Sequence, residues 1–281
     1  MKALSTPGES PAFPMPDVRL ALFDIDKTLI GVDLVINDEG IFDAFAEAQA
    51  QGWTVGLSSD TPYDRIRSKR DYFGVNGPII AERGAIVEWD GSTIYDSETA
   101  QAFGETRDRV EAKLAERGFR VVSSYPTELD TPDDRPIEDG EAIAFVNPLR
   151  MCSVGLWARR SRDDRLVIDD NLTSEMADLV RPDMPDMDLF WDLNHEYGIL
   201  IAAPASMNKR VGTQHFKQLA GIGGRVAMVG DSMSDFLGDD VAVHYAVGNA
   251  SPDFKARANY VAEGTITKGS IEILGKLRGA S

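Results

Sequence analysis

The feature that most constrains this chain is an alternation of apolar, strand-length runs with helix-length segments, broken once in the middle. From Val18, "VRLALFDI" is a continuous apolar run of strand length, and "EGIFDAFAEAQAQG" has helical spacing closed by Gly52. "WTVGLSS" reads as a second strand. "TPYDRIRSKRDYFG" reads as a helix with Pro62 near its first turn and Gly74 at its end. "PIIAERGAIVEW" follows as more strand. Strands alternating with helices of this length build a parallel sheet covered on both faces. After one further helix, "TRDRVEAKLAERG", the character changes. Short strand-like runs ("FRVVSSY", "EAIAFV", "CSVGLWA", "DLFWDL", "YGILIAA") are separated by acidic, proline-containing loops such as "TELDTPDDRPIEDGE". That stretch reads as a small α+β unit with mainly antiparallel pairing. The alternation then resumes with a helix over "NKRVGTQHFKQLAG", a strand over "RVAMVGD" and a helix over "SDFLGDD". A strand over "VAVHYAV" and a last helix near "GSIEILGKLRG" complete it. The expected fold class is α/β: a doubly wound, Rossmann-like parallel-sheet core over 18–84 and 204–281, interrupted by an inserted α+β domain over 85–203. The crossings are expected near Gly84–Glu88 and Tyr197–Pro204.

Composition narrows the function classes. The 281 residues carry 46 acidic and 29 basic side chains, a formal charge of −17, which argues against a basic face for nucleic-acid phosphates. No stretch approaches the roughly 18 consecutive apolar residues of a membrane span. Residues 1–17, "MKALSTPGESPAFPMPD", are rich in Pro, Ser and Gly, lack the apolar centre of a signal peptide, and read as a mobile tail. The single cysteine, Cys152, allows no internal disulfide, agrees with a reducing cytoplasm, and is expected in the core rather than as a nucleophile.

Four short elements carry chemistry. In "ALFDIDKTLI" an apolar strand ends in Asp24 and Asp26, whose side chains point the same way at the carboxyl edge where parallel sheets bind ligands. Two neighbouring carboxylates suit a hard divalent cation; alternatively they cap a turn. In "VAMVGDSMSDFLGDD" Asp231 follows a buried strand, and Asp235 would share its face if the segment is helical. Ser58 and Ser59 in "VGLSSDTP" stand at a strand–helix junction, where free N–H groups favour a phosphate and where a plain N-cap is the simpler role. Lys209 in "APASMNKRVGTQHF" begins a helix, a place where a cation is disfavoured unless an anion offsets it or the side chain is solvated.

In this order the elements resemble the motifs of the haloacid-dehalogenase-like phosphatases, in particular the Cof-type group with a large α/β cap between its second and third motifs. "FDIDKTL" is similar to the first motif, "VGLSSD" to the second, Lys209 to the third and "VGDSMSD" to the fourth; "GPIIAERGAIVEWDG" and "AVGNASPDFKARANYVAE" also match. The resemblance spans residue 18 to the end. It implies that Asp24 is a nucleophile forming an aspartyl-phosphate, and that Asp26 is general acid and then base. It implies Mg²⁺ held by the Asp24 carboxylate, the Asp26 carbonyl and Asp231, with Asp235 binding directly or through water. Ser58 and the N–H groups of Ile25, Asp26 and Ser59 would hold phosphoryl oxygens, and Lys209 would offset charge. Lys27, Asp60, Arg83 and Ser234 depart from the family's commonest letters.

The cap is expected to select the leaving group, with Asn194 and His195, beside Asp192 and near the returning linker, as candidates to touch substrate, together with Arg150. The expected protein is a cytoplasmic Mg²⁺-dependent phosphatase, monomer or homodimer, acting on a small-molecule phosphate monoester such as a sugar phosphate or phosphoglycolate-like acid. A sugar-phosphate phosphomutase would use the same aspartate chemistry. A non-catalytic phosphate sensor would not need every catalytic position filled, and a receiver-like signalling module would place its phosphorylated aspartate on a later strand and lack the cap.

Overall fold

The computed structural model describes residues 13–124, 136–163, 165–195 and 197–279. In chain order the elements begin β1 (Leu20–Phe23), α1 (Gly40–Ala50), β2 (Thr54–Ser58), α2 (Tyr63–Phe73), β3 (Ile79–Ala81), β4 (Ile86–Trp89) and β5 (Ser92–Tyr95). Next come α3 (Ser97–Glu116), β6 (Arg120–Ser123), β7 (Ala142–Val146), β8 (Val154–Arg162), β9 (Arg165–Ile168), α4 (Asp170–Val180), β10 (Leu189–Asn194) and β11 (Ile199–Pro204). The chain closes with α5 (Lys209–Ala220), β12 (Val226–Gly230), β13 (Ala242–Ala246), α6 (Pro252–Lys255), β14 (Tyr260–Val261) and α7 (Ile266–Gly279). Two compact units emerge: the chain up to Ser59 with Arg67–Ile80 and Thr213 onward, and Asp60–Ile66 with Ala81–Gly212.

In the first unit β1 lies at the centre of a parallel sheet because all four of its residues are apolar and buried on both faces. It pairs with β2 on one side and β12 on the other, and β13 and β14 extend the β12 side in parallel. β2 continues into β3, with Ser58 opposite Ile80. The register sets Phe23 beside Leu57 and beside Val229, so the next residues, Asp24, Ser58 and Gly230, end three adjacent strands at one edge. Helix α1 covers the sheet with Ile41, Ala44, Phe45 and Ala48, a 3.6-residue stripe, and Phe45 meets Phe23 edge-on at 5.3 Å. Gly77 is required where β3 approaches β2, since a Cβ there would overlap the Val55 backbone.

The second unit is built on a sheet ordered β10-β11-β8-β7-β6, with β9 paired to β8. Only β6 and β7 run parallel among its described pairs; β7–β8, β8–β11, β10–β11 and β8–β9 are antiparallel. Strand β7 shows the period of two directly: Ala144 and Val146 face a cluster containing Phe103, Leu114, Leu156 and Met176, while Ile143 and Phe145 join Trp157 in a separate cluster. Cys152 is buried as expected, and burial with nearby Glu82 pushes its thiol up to about 12, far from a thiolate nucleophile.

Five local expectations change. The insert holds two helices rather than one. Helix α4, in a stretch to which the sequence reading assigns no element, buries Leu172, Met176, Ala177 and Val180, and Asp169 caps it by accepting the Leu172 N–H at 3.0 Å. Helix α3 starts earlier than expected, at Ser97, capped by Asp96. The run "PIIAERGAIVEW" breaks at Glu82–Gly84, where three consecutive residues have positive φ. The helix expected over "SDFLGDD" is a single 3₁₀ turn, Met233–Asp235. Of the expected mobile tail, residues 1–12 lie outside the described residues, whereas Phe13 to Asp17 are docked. Phe13 stacks on Tyr245 at 5.4 Å and meets Tyr260 edge-on, Tyr245 donates to the Pro14 carbonyl, and Asp17 pairs with Arg225 at 3.0 Å. The long acidic loop is described only outside residues 125–135.

Because Met176 is fully buried between α3 and the sheet of the second unit, Met176→Ala should lower unfolding free energy by about 2–5 kcal/mol. A urea transition followed by fluorescence checks this; an unchanged midpoint would contradict the packing described.

Candidate active site

The edge at which β1, β2 and β12 end gathers the acids. Carboxylate oxygens of Asp24, Asp231 and Asp235 all lie within 4.8 Å of one another. Asp24 is only 6 % exposed, and its N–H donates to the Val229 carbonyl at 2.9 Å, which extends the β1–β12 ladder by one residue. Asp235 is fully buried, and no α-helix is needed to bring it beside Asp231. Its Oδ2 accepts the N–H groups of Asp231 and Ser232 at 3.0 and 3.1 Å, and the Ser232 hydroxyl completes a capping box. The Asp231 carbonyl is fixed in turn by the Ser251 N–H at 2.7 Å. Gly230 is required here, because a Cβ at that position would overlap the Asp235 carboxylate.

The loop after Asp24 is a tight return. The N–H groups of Leu29 and Ile30 donate to the Ile25 carbonyl at 2.8 and 3.0 Å, and that of Lys27 to the Ile30 carbonyl at 2.7 Å. Lys27 adopts φ 61°, the left-handed region, and its carbonyl accepts from the Asn249 side chain at 2.8 Å. The Thr267 and Ser270 hydroxyls of α7 anchor the carbonyls of Leu29 and Thr28 at 2.8 Å each. Asp26 is exposed at the start of this return, bridged to Ile30, and its carboxylate is not in the three-acid cluster.

Ser58 is fully buried at the end of β2, and its hydroxyl has no hydrogen-bond partner among the described residues. A buried hydroxyl in that condition is an invitation to a ligand acceptor. Helix α2 begins only at Tyr63, so Ser58 is not its N-cap. Ser59 differs from expectation. Its N–H donates to the Ile80 carbonyl at 2.9 Å, which removes that group from the donors available to a phosphoryl oxygen.

In the second unit Lys209 is the first residue of α5 and only 3 % exposed, which excludes a solvated surface role. Asn208 caps that helix by accepting the Val211 N–H at 3.0 Å. Gly84, at φ 94°, packs against Asn208 so closely that a Cβ would overlap its carbonyl. The preceding Glu82 was not singled out in the sequence. It is buried and accepts from the N–H groups of Met151 and Cys152 at 2.8 and 3.0 Å and from the Ser153 hydroxyl at 2.5 Å. Burial pushes its carboxyl above the usual carboxylate range, opposed by Arg150, which is itself buried and donates to Ser153 at 3.0 Å. Arg83 lies over the Phe190 ring at 3.5 Å and 3.7 Å from Asp60. Asp192, whose carboxyl burial also raises, is influenced by Asp60, Arg83 and Arg150.

Asn194 and His195 are not beside the returning linker. The antiparallel register pairs Leu189 with Pro204 at the linker end of the β10–β11 hairpin and Asn194 with Ile199 at the opposite end. Five residues of strand, roughly 17 Å, separate the two ends. Asn194 there accepts the Tyr197 N–H at 3.3 Å, and the exposed His195 lies 3.7 Å from Asp170. The expectation had followed sequence distance from the linker, and an antiparallel hairpin carries its turn residues away from it.

No family model matches the chain. It is 25% identical over 267 residues to a phosphoglycolate phosphatase of Sulfolobus acidocaldarius, a match covering 92% of this chain and 96% of that one. A haloacid dehalogenase-like hydrolase from Bacteroides thetaiotaomicron superposes with a TM-score of 0.61 at 17% identity, over 92% of this chain and 98% of that one. A HAD subclass IIB sugar phosphatase gives a TM-score of 0.56 at 17% identity, over 92% and 100%. The chain thus has the fold of the haloacid-dehalogenase-like hydrolases, with an inserted domain like a Cof- or IIB-type cap.

Three carboxylates this close fit a hard divalent cation, and the overlap at Gly230 supplies a check. Gly230→Ala should abolish or sharply reduce the Mg²⁺-dependent rise in melting temperature of the wild type. An unchanged Mg²⁺ response in a folded Gly230→Ala protein would show that Asp235 takes no part.

Proposed function

We propose that this protein is a Mg²⁺-dependent phosphatase that hydrolyses a small phosphorylated metabolite through an aspartyl-phosphate. The observation that carries this reading is the convergence of Asp24, Asp231 and Asp235 within 4.8 Å at the strand ends next to the unpartnered Ser58 hydroxyl. Three carboxylates with only oxygen donors fit a hard divalent cation, with the Asp26 carbonyl as a further ligand. When bound, Mg²⁺ neutralises the carboxylates and the phosphoryl charge and orients the group for attack.

The remaining chemistry belongs to the chain. The Asp24 carboxylate attacks phosphorus in line, forming an acyl phosphate as the bond to the leaving oxygen breaks. Asp26 gives its proton to that oxygen, then takes one from the water that cleaves the intermediate, regenerating Asp24. Its exposure at the loop start leaves it able to exchange that proton. The Ser58 hydroxyl and the N–H groups of Ile25 and Asp26 hold the phosphoryl oxygens, with Ser59 contributing its side chain. Lys209, buried at the start of α5, offsets the negative charge that builds up. The domain limits taken here are 18–84 with 204–281 for the core and 85–203 for the cap, which excludes water and selects the leaving group.

For the substrate, the name of the Sulfolobus relative favours a phosphoglycolate-like acid, and that of the subclass IIB structure a sugar phosphate. The lone, buried cysteine suits a cytoplasmic setting, and among the described residues no helix is long and apolar enough to cross a membrane.

A panel of phosphate monoesters assayed with Mg²⁺, with and without chelator, tests the reading; full activity in excess chelator would sink it. The two neighbouring acids separate the roles further. Asp24→Asn should give no turnover and no hydroxylamine-labile phosphoenzyme. Asp26→Asn should lose roughly 10²–10⁴-fold with ordinary alkyl esters, less in the first step with good leaving groups, and should accumulate phosphoenzyme. Labelled phosphate on Asp24→Asn, or the same behaviour of both variants toward every leaving group, would overturn the assignment.

A further inference from the structure

His244 is a fully buried histidine that no step above uses. It lies on β13, where its main chain is fixed on both sides: its N–H donates to the Asn259 side chain at 2.8 Å, and its carbonyl accepts the Asn259 N–H at 2.8 Å. The ring stacks on Phe236 at 4.5 Å and meets Phe254 edge-on at 6.4 Å. Its Nε2 accepts the N–H of buried Leu237 at 3.0 Å. An accepting Nε2 carries no proton, so the ring is neutral with its proton on Nδ1. Burial favours the same neutral state by pushing the imidazole below its ordinary value.

That Nδ1 has no hydrogen-bond partner among the described residues. The nearby acid, Asp239, is 81 % exposed and its oxygen stands 3.9 Å away, too far for a hydrogen bond. Packing alone does not explain such a residue. A phenylalanine would fill the space and stack equally well without leaving a buried N–H unmatched. What histidine adds is the acceptor for Leu237, and Leu237 stands two residues after Asp235.

We infer that His244 is a positioning residue for the Asp235 carboxylate, holding through the Leu237 N–H the turn that delivers Asp235 to the three-acid cluster. The turn is pinned on its other side by Asp235 itself, whose Oδ2 accepts from Asp231 and Ser232, and the Phe236 N–H donates to the Met233 carbonyl at 3.2 Å. No α-helix follows to stiffen the segment; the chain turns away at Gly238, φ 87°. With a short carboxylate arm, Asp235 is only as well placed as its main chain, and His244 ties that main chain to β13 through the Leu237 N–H. The role rests on the proposal that Asp24, Asp231 and Asp235 hold the metal.

Three substitutions separate the acceptor from the packing. Gln places an amide oxygen near the Nε2 position, Asn reaches only near Nδ1, and Phe keeps the stacked ring without an acceptor. Mg²⁺ titration of the melting temperature gives a binding readout that needs no turnover, and kcat at saturating Mg²⁺ is measured beside it. His244→Phe and His244→Asn should need roughly tenfold more Mg²⁺ for half-saturation, with kcat at saturation largely kept. His244→Gln should return close to wild type. Wild-type Mg²⁺ affinity in folded His244→Phe or His244→Asn would overturn the role, as would His244→Gln behaving like either of them. If the wild type shows no Mg²⁺ response while Asp231→Ala behaves identically, the metal reading of the three acids falls, and the role of His244 falls with it.

Discussion

Everything at the candidate site depends on holding three carboxylates together against their own repulsion. Oxygens of Asp24, Asp231 and Asp235 come within 4.8 Å. At an effective dielectric near 20, two unit charges at that distance repel by roughly 3–4 kcal/mol, and three such pairs are a substantial load for a domain of ordinary stability. The parallel ladder absorbs it by geometry. β1 and β12 are paired up to Phe23 and Val229, and the Asp24 N–H continues the pairing, which fixes the main chain from which Asp24 projects. The main chain supplies part of the electrostatic compensation, through the two N–H groups that Asp235 accepts.

Strained backbone marks two strand ends, one in each unit. Lys27 at φ 61° and the run Glu82, Arg83 and Gly84, all at positive φ, follow directly on β1 and β3, where the chain must leave the sheet edge within a few residues. Each is over-determined by its surroundings: Lys27 by Asn249 and Ile30, Glu82 by the donors of residues 151–153, Gly84 by the backbone of Asn208. Strain of this kind persists only where neighbouring structure fixes it.

Legibility in the sequence followed the strength of the local signal. The parallel strands of the core are continuous apolar runs, and α1, α2 and α5 end in or just before a glycine with positive φ, so each was readable to within a residue or two. Helix α4 was missed although Asp169 precedes a Leu172–Met176–Ala177–Val180 stripe, because "RLVIDD" before it has the look of a strand running into a loop. The helix expected over 234–240 failed for a different reason. Asp235 spends its carboxylate on the N–H groups of Asp231 and Ser232, and the chain then turns toward His244 rather than continuing its own ladder.

The sequence by itself determined the order of the core strands, the interruption by a second domain, and the placing of Asp24, Ser58 and Asp231 at strand ends, because burial on both faces writes itself as unbroken apolar runs with polar residues where they stop. Only the tertiary structure decided which of those ends meet. The register brought Asp24 level with Ser58 and Gly230 and drew Asp235 in without a helix. It committed the Ser59 N–H to Ile80, and it set Asn194 and His195 at the far end of their hairpin. Pairing partners, hydrogen-bond acceptors and hairpin direction join residues far apart in the chain. They are fixed by which strands lie side by side, and no local pattern of side chains records that.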